Sequence, residues 1–262
     1  MTAWLRFPAS NPQLPPQNGA SVDGTLFSAG LYDPYVLAPP MSELRNVADA
    51  EITVLGERLV LLPERAVYWP SRSAFLIADA HFGKAATFRA HGVPVPRGTT
   101  SDNLGRIEAM LSRHPAKQMI FLGDFLHHKK GRADTTLAAL SAWRARHADL
   151  ELLLVRGNHD GHAGDPPKEL RVKVVGEPYR LDPFVLCHEP SEAKRGFALS
   201  GHLHPAVVLS GRGNERLRLP CFWFAPDYAV LPAFGTFTGS YLIQRHPGDQ
   251  VFVVADDHVI PV

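Results

Sequence analysis

Five apolar segments of the sequence end in side chains of the types that bind metal ions. The segments are "FLIADAH", "IFLGDFLHH", "LLLVRGNHD", "FVLCHEP" and "FALSGHLH". Their ends supply three oxygen-type ligands, four imidazoles and no thiolate: Asp79, His81, Asp124, Asn158, His188, His202 and His204. Mixed oxygen and nitrogen ligands suit Mn, Fe or Zn rather than a structural zinc site built on cysteine.

Seven ligands are too many for one tetrahedral ion. Two ions bridged by a shared carboxylate, about 3.5 to 4 Å apart, would use all of them, lower the pKa of a bridging water and hold both oxygens of a phosphoryl displacement. Asp79 and His81 are two residues apart, as are His202 and His204, so each pair points to one face of an extended chain. The strand ends therefore predict hydrolytic chemistry.

A parallel sheet is the scaffold that brings such ends together. "AFLIADAH", "QMIFLGD" and "LELLLVRGNHD" are typical of strands buried on both faces. Between them, residues 101–114 and 134–147 carry apolar side chains at helical spacing, and "KAATFRAHG" predicts a short helix that ends at Gly92. Strand, helix, strand, helix, strand predicts a parallel α/β sheet, whose strands share one crevice at their carboxyl ends.

The remaining segments predict further strands. "ITVLGERLVLLP" is typical of a hairpin, as are "AVVLSGRGNERLRLPCFWF" with its "GRGN" turn and "GSYLIQRHPGDQVFVVADDHVIPV" with its "PGDQ" turn. We expect these later strands to form a second sheet against the first.

The first 48 residues differ from the rest in composition. They are rich in Pro, Gly, Ser and Asn without a sustained period, which predicts a flexible tail, followed by one domain over residues 49–262. A more regular stretch begins at Met41, so either Met1 or Met41 is the expected start of translation.

Composition excludes little. The 262 residues are 45% hydrophobic with a net charge of +1, and this near-neutral charge gives no indication of a polyanionic partner. Cys187 and Cys221 do not form a CxxC pair, and we expect a reducing cytoplasm. No apolar run approaches the roughly 18 residues of a membrane span, so no membrane association is expected.

The motifs "DAH", "GDFLH", "GNHD", "CH" and "GHLH", in this order, resemble those of the calcineurin-like metallophosphoesterases. That resemblance implies an α/β fold, a four-layer α/β/β/α sandwich of two mixed β-sheets flanked by helices, around a dinuclear metal centre. The longer segments around these motifs, such as "DAHFGKAATFRAHGVPVPRG" and "SGHLHPAV", further resemble those of the bacterial ligase-associated DNA damage response endonucleases, the PdeM group. The resemblance covers about residues 51–262.

The resemblance also implies a role for each motif residue. The implied ligands are Asp79, His81 and His204 at one ion, Asn158, His188 and His202 at the other, and Asp124 between the two. His159 would lie just outside the metals, stabilise charge on the phosphoryl group and help to protonate the leaving oxygen. Asp160 would either orient His159 or cap the next turn.

Basic residues follow the first two motifs. Those of "HHKKGR" at 127–132, with Lys84, Arg89 and Arg97, would hold a nucleic-acid backbone or form a solvated loop. We expect His127, His128 and Lys84 to contact the substrate, although His128, like His162, also fits a solvated loop residue.

The motifs thus predict a cytoplasmic, metal-dependent phosphodiesterase that acts through metal-bound hydroxide, and the resemblance alone implies a DNA endonuclease of ligase-associated repair. Two divalent ions are expected, Mn²⁺ first and Fe or Zn as alternatives. DNA is the expected partner, with a DNA ligase and a helicase of the same repair system. A phosphodiesterase or phosphatase for small nucleotides and a non-catalytic scaffold for repair proteins remain the alternatives. "FLHH" stands where Ser/Thr phosphatases carry Asp-Arg-Gly, which argues against phosphoproteins.

Overall fold

The first of two sheets has seven strands in the order of the sequence. The computed structural model describes residues 48–95, 98–191, 196–210 and 216–262, so residues 1–47 of the predicted tail and Arg97 lie outside it. The strands are β1 (Ala50–Val54), β2 (Glu57–Leu62), β3 (Ala66–Trp69), β4 (Ala74–Ala78), β5 (Gln118–Leu122), β6 (Glu151–Val155) and β7 (Val172–Val175). The strands β1 to β4 are antiparallel, which includes the predicted hairpin of β1 and β2, and β4 to β7 are parallel, as predicted for β4, β5 and β6.

The register of the parallel strands aligns their carboxyl ends. Ala78, the last residue of β4, pairs with Leu122, the last of β5, which pairs with Val155, the last of β6. The candidate metal ligands that follow each strand therefore begin at the same level of the sheet. This alignment allows them to share one crevice at the carboxyl ends of the strands.

Four α-helices and three short 3₁₀ turns connect these strands. The helices are α1 (Lys84–Ala90), α2 (Thr99–Arg113), α3 (Asp134–Arg146) and α4 (Asn158–Ala163), and the turns are Pro70–Arg72, Lys129–Gly131 and Lys168–Leu170. Leu104, Ile107 and Met110 of α2 and Leu140 and Trp143 of α3 are buried against the outer face of the first sheet. Their helical spacing explains why these segments form the cover of that face.

The second sheet contains the later strands. They are β8 (Tyr179–Leu181), β9 (Phe184–Leu186), β10 (Phe197–Ser200), β11 (Pro205–Ser210), β12 (Arg216–Phe224), β13 (Tyr228–Val230), β14 (Tyr241–Leu242), β15 (Gln250–Ala255) and β16 (His258–Pro261). Their order is β14-β11-β12-β13-β10-β9-β8, with β15 paired to β12 and β16. The sheet is mixed, because β10 is parallel to β9 and β13 while β12 is antiparallel to β11 and β15.

One predicted hairpin is wrong. The turn within "PGDQ" joins β14 to β15, which do not pair with each other, because β14 is parallel to β11 and β15 forms its hairpin with β16. The predicted hairpin of β11 and β12 is present, although residues 211–215 of its turn lie outside the described chain.

The core alternates along each strand. Leu76 of β4 packs between the two sheets, against residues such as Phe222 and Phe252, whereas its neighbours Phe75 and Ile77 pack under the helices. The predicted α/β sandwich of two mixed sheets is confirmed. Helices cover the first sheet alone, since no helix follows Leu170 in the described segments.

The outer face of the second sheet packs Cys221, Trp223 and Val253 against strand and loop side chains. Cys187 and Cys221 are buried free thiols. No helix in the described segments is long and apolar enough to cross a bilayer.

Candidate metal centre

The loops that follow the strands turn sharply at the predicted ligands. Asp79, His81, Asp124, His202 and His204 all have positive φ values, between 45° and 69°. Such left-handed backbone is uncommon outside glycine and persists where the surroundings enforce it. Here the His81 amide donates to the Asp124 carbonyl at 2.8 Å, and the His202 amide donates to Asp79 Oδ2 at 2.8 Å. Each loop is thus held by its neighbour.

One group of predicted ligands consists of Asp79, His81 and His204, whose ligand atoms all lie within 4.8 Å of one another. Asp79 is fully buried, and its Oδ1 lies 3.5 Å from His204 Nε2. His204 Nδ1 donates to the Gly239 carbonyl at 3.0 Å. Because that nitrogen carries the proton, the Nε2 lone pair of His204 faces Asp79.

A second group surrounds the buried ring of His188. Its Nδ1 donates to the Leu122 carbonyl at 3.0 Å, which leaves the lone pair on Nε2. That Nε2 lies 2.8 Å from Asn158 Oδ1, 3.0 Å from His202 Nδ1 and 3.5 Å from Asp124 Oδ1. Three further atoms that can donate electron pairs therefore lie within 3.5 Å of His188 Nε2.

Asp124 lies between the two groups. Its Oδ1 is 3.5 Å from His188 Nε2, and its Oδ2 is 3.6 Å from His81 Nε2. Asp79 also touches both groups, because its Oδ1 lies 3.9 Å from His188 Nδ1. However, that His188 nitrogen donates to Leu122, so the carboxylate with one oxygen toward a lone pair of each group is Asp124.

Two buried atoms of the centre have no hydrogen-bond partner among the described residues. They are Asp79 Oδ1 and His81 Nε2. An unsatisfied buried polar atom costs about 1 to 3 kcal/mol, so native proteins rarely leave one without a reason. A divalent cation satisfies both lone pairs, and the mixed oxygen and nitrogen set matches its preference. The residues present therefore fit a metal centre.

Burial sets the charges of the centre. It holds the pKa of His81 far below its usual range, so that ring is neutral. Burial raises the pKa of Asp124, and the nearby Asp79 adds to this while His188 opposes it. Burial alone would lower the pKa of His188, but Asp79 and Asp124 outweigh it and raise that pKa. Two carboxylates thus dominate the potential.

His159 stands at the open side of the centre, with 41% of its side chain exposed. Its Nδ1 donates to the His127 carbonyl at 3.2 Å, and its Nε2 lies 3.9 Å from Asp124 Oδ2. The rings of His127 and His159 stack with centroids 5.1 Å apart. His159 is therefore fixed beside the candidate ligands with Nε2 toward them.

Asp160 does not contact the His159 ring. Its carboxylate accepts three backbone N–H groups, from Gly157 at 2.9 Å, Asp124 at 2.8 Å and Phe125 at 3.0 Å. Burial and the nearby charge of Asp124 raise the pKa of Asp160 to about 6, although the amides of Gly157, Leu126 and Phe125 oppose the shift. Of the two roles open in the sequence, this geometry favours the cap, since the His127 carbonyl orients His159.

The basic residues Lys84 and Arg132 differ in whether other groups of the protein already bind them. Lys84 begins α1, and burial lowers its pKa although Asp79 and Asp124 act to raise it. Arg132, by contrast, donates to the carbonyls of Ala163 at 3.3 Å and Asp165 at 2.8 Å, and so holds the end of α4.

His128, His162 and Lys129 are the more exposed members of this set. His128 and Lys129 are exposed. His162 is exposed on α4, and its Nδ1 donates to the Asn158 carbonyl at 3.0 Å.

Several supporting groups have no counterpart in the sequence predictions. Glu177 accepts the His188 and Glu189 amides, which holds the "CH" motif. Asn103 donates to the Ala80 carbonyl at 3.4 Å, and Arg106 donates to the Phe234 carbonyl. These residues lie outside the metal motifs in the sequence, so their supporting role is seen only in the folded structure.

Comparison with known proteins decides the family. Residues 74–244 match the family described as calcineurin-like phosphoesterase. The chain is a calcineurin-like phosphoesterase. Membership confirms the resemblance seen in the motifs and makes this chain a phosphoester hydrolase of a family that depends on two metal ions.

The phosphoesterase also resembles solved structures. The nuclease MPE of Pseudomonas putida is 43% identical, with 82% of this chain and 100% of that chain covered and a TM-score of 0.73. The protein of unknown function AQ665 from Aquifex aeolicus is 19% identical over 54% of this chain and 81% of that chain, and its TM-score of 0.34 supports no argument. No curated protein matches the sequence.

Gly157 tests how tightly the centre is packed. A Cβ at this position would lie 2.6 Å from Asp124 Oδ1 and 2.7 Å from the Asp124 amide. We therefore expect Gly157→Ala to displace the central carboxylate and weaken Mn²⁺ binding at least about tenfold, in the range of damaged metal-site supports. Isothermal titration calorimetry measures this loss.

The matched control is Gly161→Ala on α4, where a Cβ meets nothing within 4 Å. It should bind Mn²⁺ like the natural protein and unfold at an equal or higher temperature, because alanine favours helix. Equal Mn²⁺ affinity in the two variants would contradict the packing described for Asp124.

Proposed function

We propose that the phosphoesterase is a DNA endonuclease that cleaves phosphodiester bonds with two divalent ions, Mn²⁺ being the expected metal. The observation that carries the proposal is Asp124, with one oxygen toward His81 and the other toward His188. Similarity to the nuclease MPE supports nucleic acid as the substrate. A role in ligase-associated repair, with a DNA ligase and helicase as partners, follows from the motif resemblance.

The proposed ligands follow the two groups of side chains. They are Asp79, His81 and His204 at one ion, Asn158, His188 and His202 at the other, and Asp124 at both. Bound divalent ions would neutralise phosphoryl charge and lower the pKa of water. The 2.8 Å contact of Asn158 Oδ1 with His188 Nε2 supports placing this amide among the ligands.

His159 is the proposed general acid. The His127 carbonyl holds the proton on Nδ1, so proton exchange is confined to Nε2, which faces the centre. Stacking on His127 restricts rotation of the ring. A protonated Nε2 would donate a hydrogen bond to a phosphoryl oxygen. It would then transfer its proton to the leaving oxygen, as general acids do within hydrogen-bond reach.

Three further residues are proposed to contact the substrate. Lys84, at the first turn of α1, has the ammonium charge that a phosphate oxygen attracts. His127 and the exposed His128 follow the Asp124 loop and extend this surface. Arg132 is left out, since its guanidinium is engaged by carbonyls near the end of α4.

His159→Ala tests the proposed acid. The ring touches Asp124 only at 3.9 Å, so we expect metal content near that of the natural protein and turnover lower by about 10² to 10⁴. The control is His162→Ala on the same helix, which should keep its turnover. Unchanged turnover of His159→Ala would remove the proposed role of this residue.

Substrate choice tests the function as a whole. With Mn²⁺, we expect the protein to cleave DNA and an aryl phosphodiester and to hydrolyse an aryl phosphomonoester poorly. A chelator should abolish both diester reactions. Cleavage of small nucleotides without DNA cleavage would favour the phosphodiesterase alternative, and the absence of any hydrolysis at full metal content would favour the scaffold.

A further inference from the structure

The loop between β13 and β14 is tied to the candidate metal centre at both ends. The Gly235 amide donates to the Asp79 carbonyl at 2.9 Å, and His204 Nδ1 donates to the Gly239 carbonyl at 3.0 Å. Phe237 lies midway, two residues from each glycine. Because two residues span at most about 7 Å, its Cα lies within that distance of both ties. Phe237 is therefore part of the rim of the centre.

Phe237 combines two unfavourable features. Its side chain is 47% exposed, and its φ is +59°, in the left-handed region. A bulky aromatic residue with positive φ is an outlier, whereas glycine or asparagine adopts this backbone readily. Among the described residues, no aromatic ring packs against it. Neither local backbone preference nor burial accounts for phenylalanine here.

Leu55 is also exposed with a positive φ, but its conformation is explained by its turn. It is 60% exposed with φ +49°, but it lies with Gly56 in the two-residue turn between β1 and β2, where hairpin geometry requires positive φ. The strands on either side of Phe237 do not pair with each other, so no hairpin imposes its conformation. Strain of this kind at a rim indicates function.

An exposed aromatic ring beside a phosphate-binding centre suits a nucleobase. Base stacking on aromatic side chains is the usual way in which proteins bind single strands, since every base offers a π-face. In a duplex the faces of the bases are already covered by their neighbours. We propose that Phe237 stacks on an unpaired base next to the scissile phosphate; this rests on the proposed nuclease function.

The chain around Phe237 agrees with such a contact. Its neighbours in "GTFTGS" are small or carry hydroxyl groups, and hydroxyl groups can donate hydrogen bonds to a sugar-phosphate backbone. Tyr241 follows at the end of the loop with 41% of its surface exposed, and its amide donates to the His204 carbonyl at 3.0 Å. The loop thus presents two aromatic side chains near one candidate ligand.

The test compares a single-stranded oligodeoxynucleotide with the same strand carrying abasic analogues around the cleaved bond, in Mn²⁺. Stacking is worth about 1 to 3 kcal/mol per base, so Phe237→Ala should lower kcat/KM on the normal strand roughly 5- to 150-fold. Its loss on the abasic strand should be much smaller. Phe237→Trp should retain cleavage, and Phe237→Leu should resemble the alanine variant because it lacks a π-face.

Phe237→Gly separates stacking from folding. Glycine relieves the left-handed strain, so this variant should unfold at or above the temperature of the natural protein and still lose cleavage of the normal strand. Leu55→Ala is the control for an exposed left-handed residue and should cleave both strands normally.

Equal losses on normal and abasic strands, or full activity of Phe237→Leu, would overturn the stacking proposal alone. If the natural protein hydrolyses an aryl phosphodiester but no DNA, the nuclease function itself fails and the stacking proposal falls with it.

Discussion

The structure depends on two carboxylates, Asp79 and Asp124, that are buried in one small space. Like charges in a low-dielectric interior repel, and burial already raises the pKa of Asp124. No lysine or arginine in the described segments forms an ion pair with either. Bound divalent cations would balance these charges, and the neutral ring of His81 and the unsatisfied Asp79 Oδ1 favour their binding here. This requirement accounts for the strained loops that surround the pair.

Both sheets contribute residues to the space around Asp79 and Asp124. The first supplies the loops of Asp79 and Asp124 after β4 and β5, and the second supplies His188 after β9 and the histidines after β10. A bridge between Ala78 and Ala233 joins the ends of the two layers. Glycine is required where they meet, because a Cβ at Gly123 would lie 2.1 Å from His188 Nδ1 and one at Gly201 would lie 2.6 Å from Asp79 Oδ2.

Much of this arrangement follows from the sequence, for a physical reason. Apolar runs mark buried strands, and parallel strands align their ends, so Asp79 and Asp124 were predictable neighbours. The carboxylate of Asp160 could not be assigned, since a cap and a partner for His159 need the same residue type. The carbonyls of Leu122 and Gly239, which orient His188 and His204, carry no mark in the sequence, because every residue has one. The "PGDQ" turn is visible in the sequence, but the pairing of the strands beside it is not, since pairing depends on residues distant in the chain.

Anomalous X-ray diffraction from crystals grown with Mn²⁺ tests the central claim most directly. The account predicts two Mn²⁺ peaks about 3.5 to 4 Å apart, with Asp124 touching both, Asp79, His81 and His204 at one, and Asn158, His188 and His202 at the other. A single peak at saturating Mn²⁺, or two peaks that do not share Asp124, would contradict it.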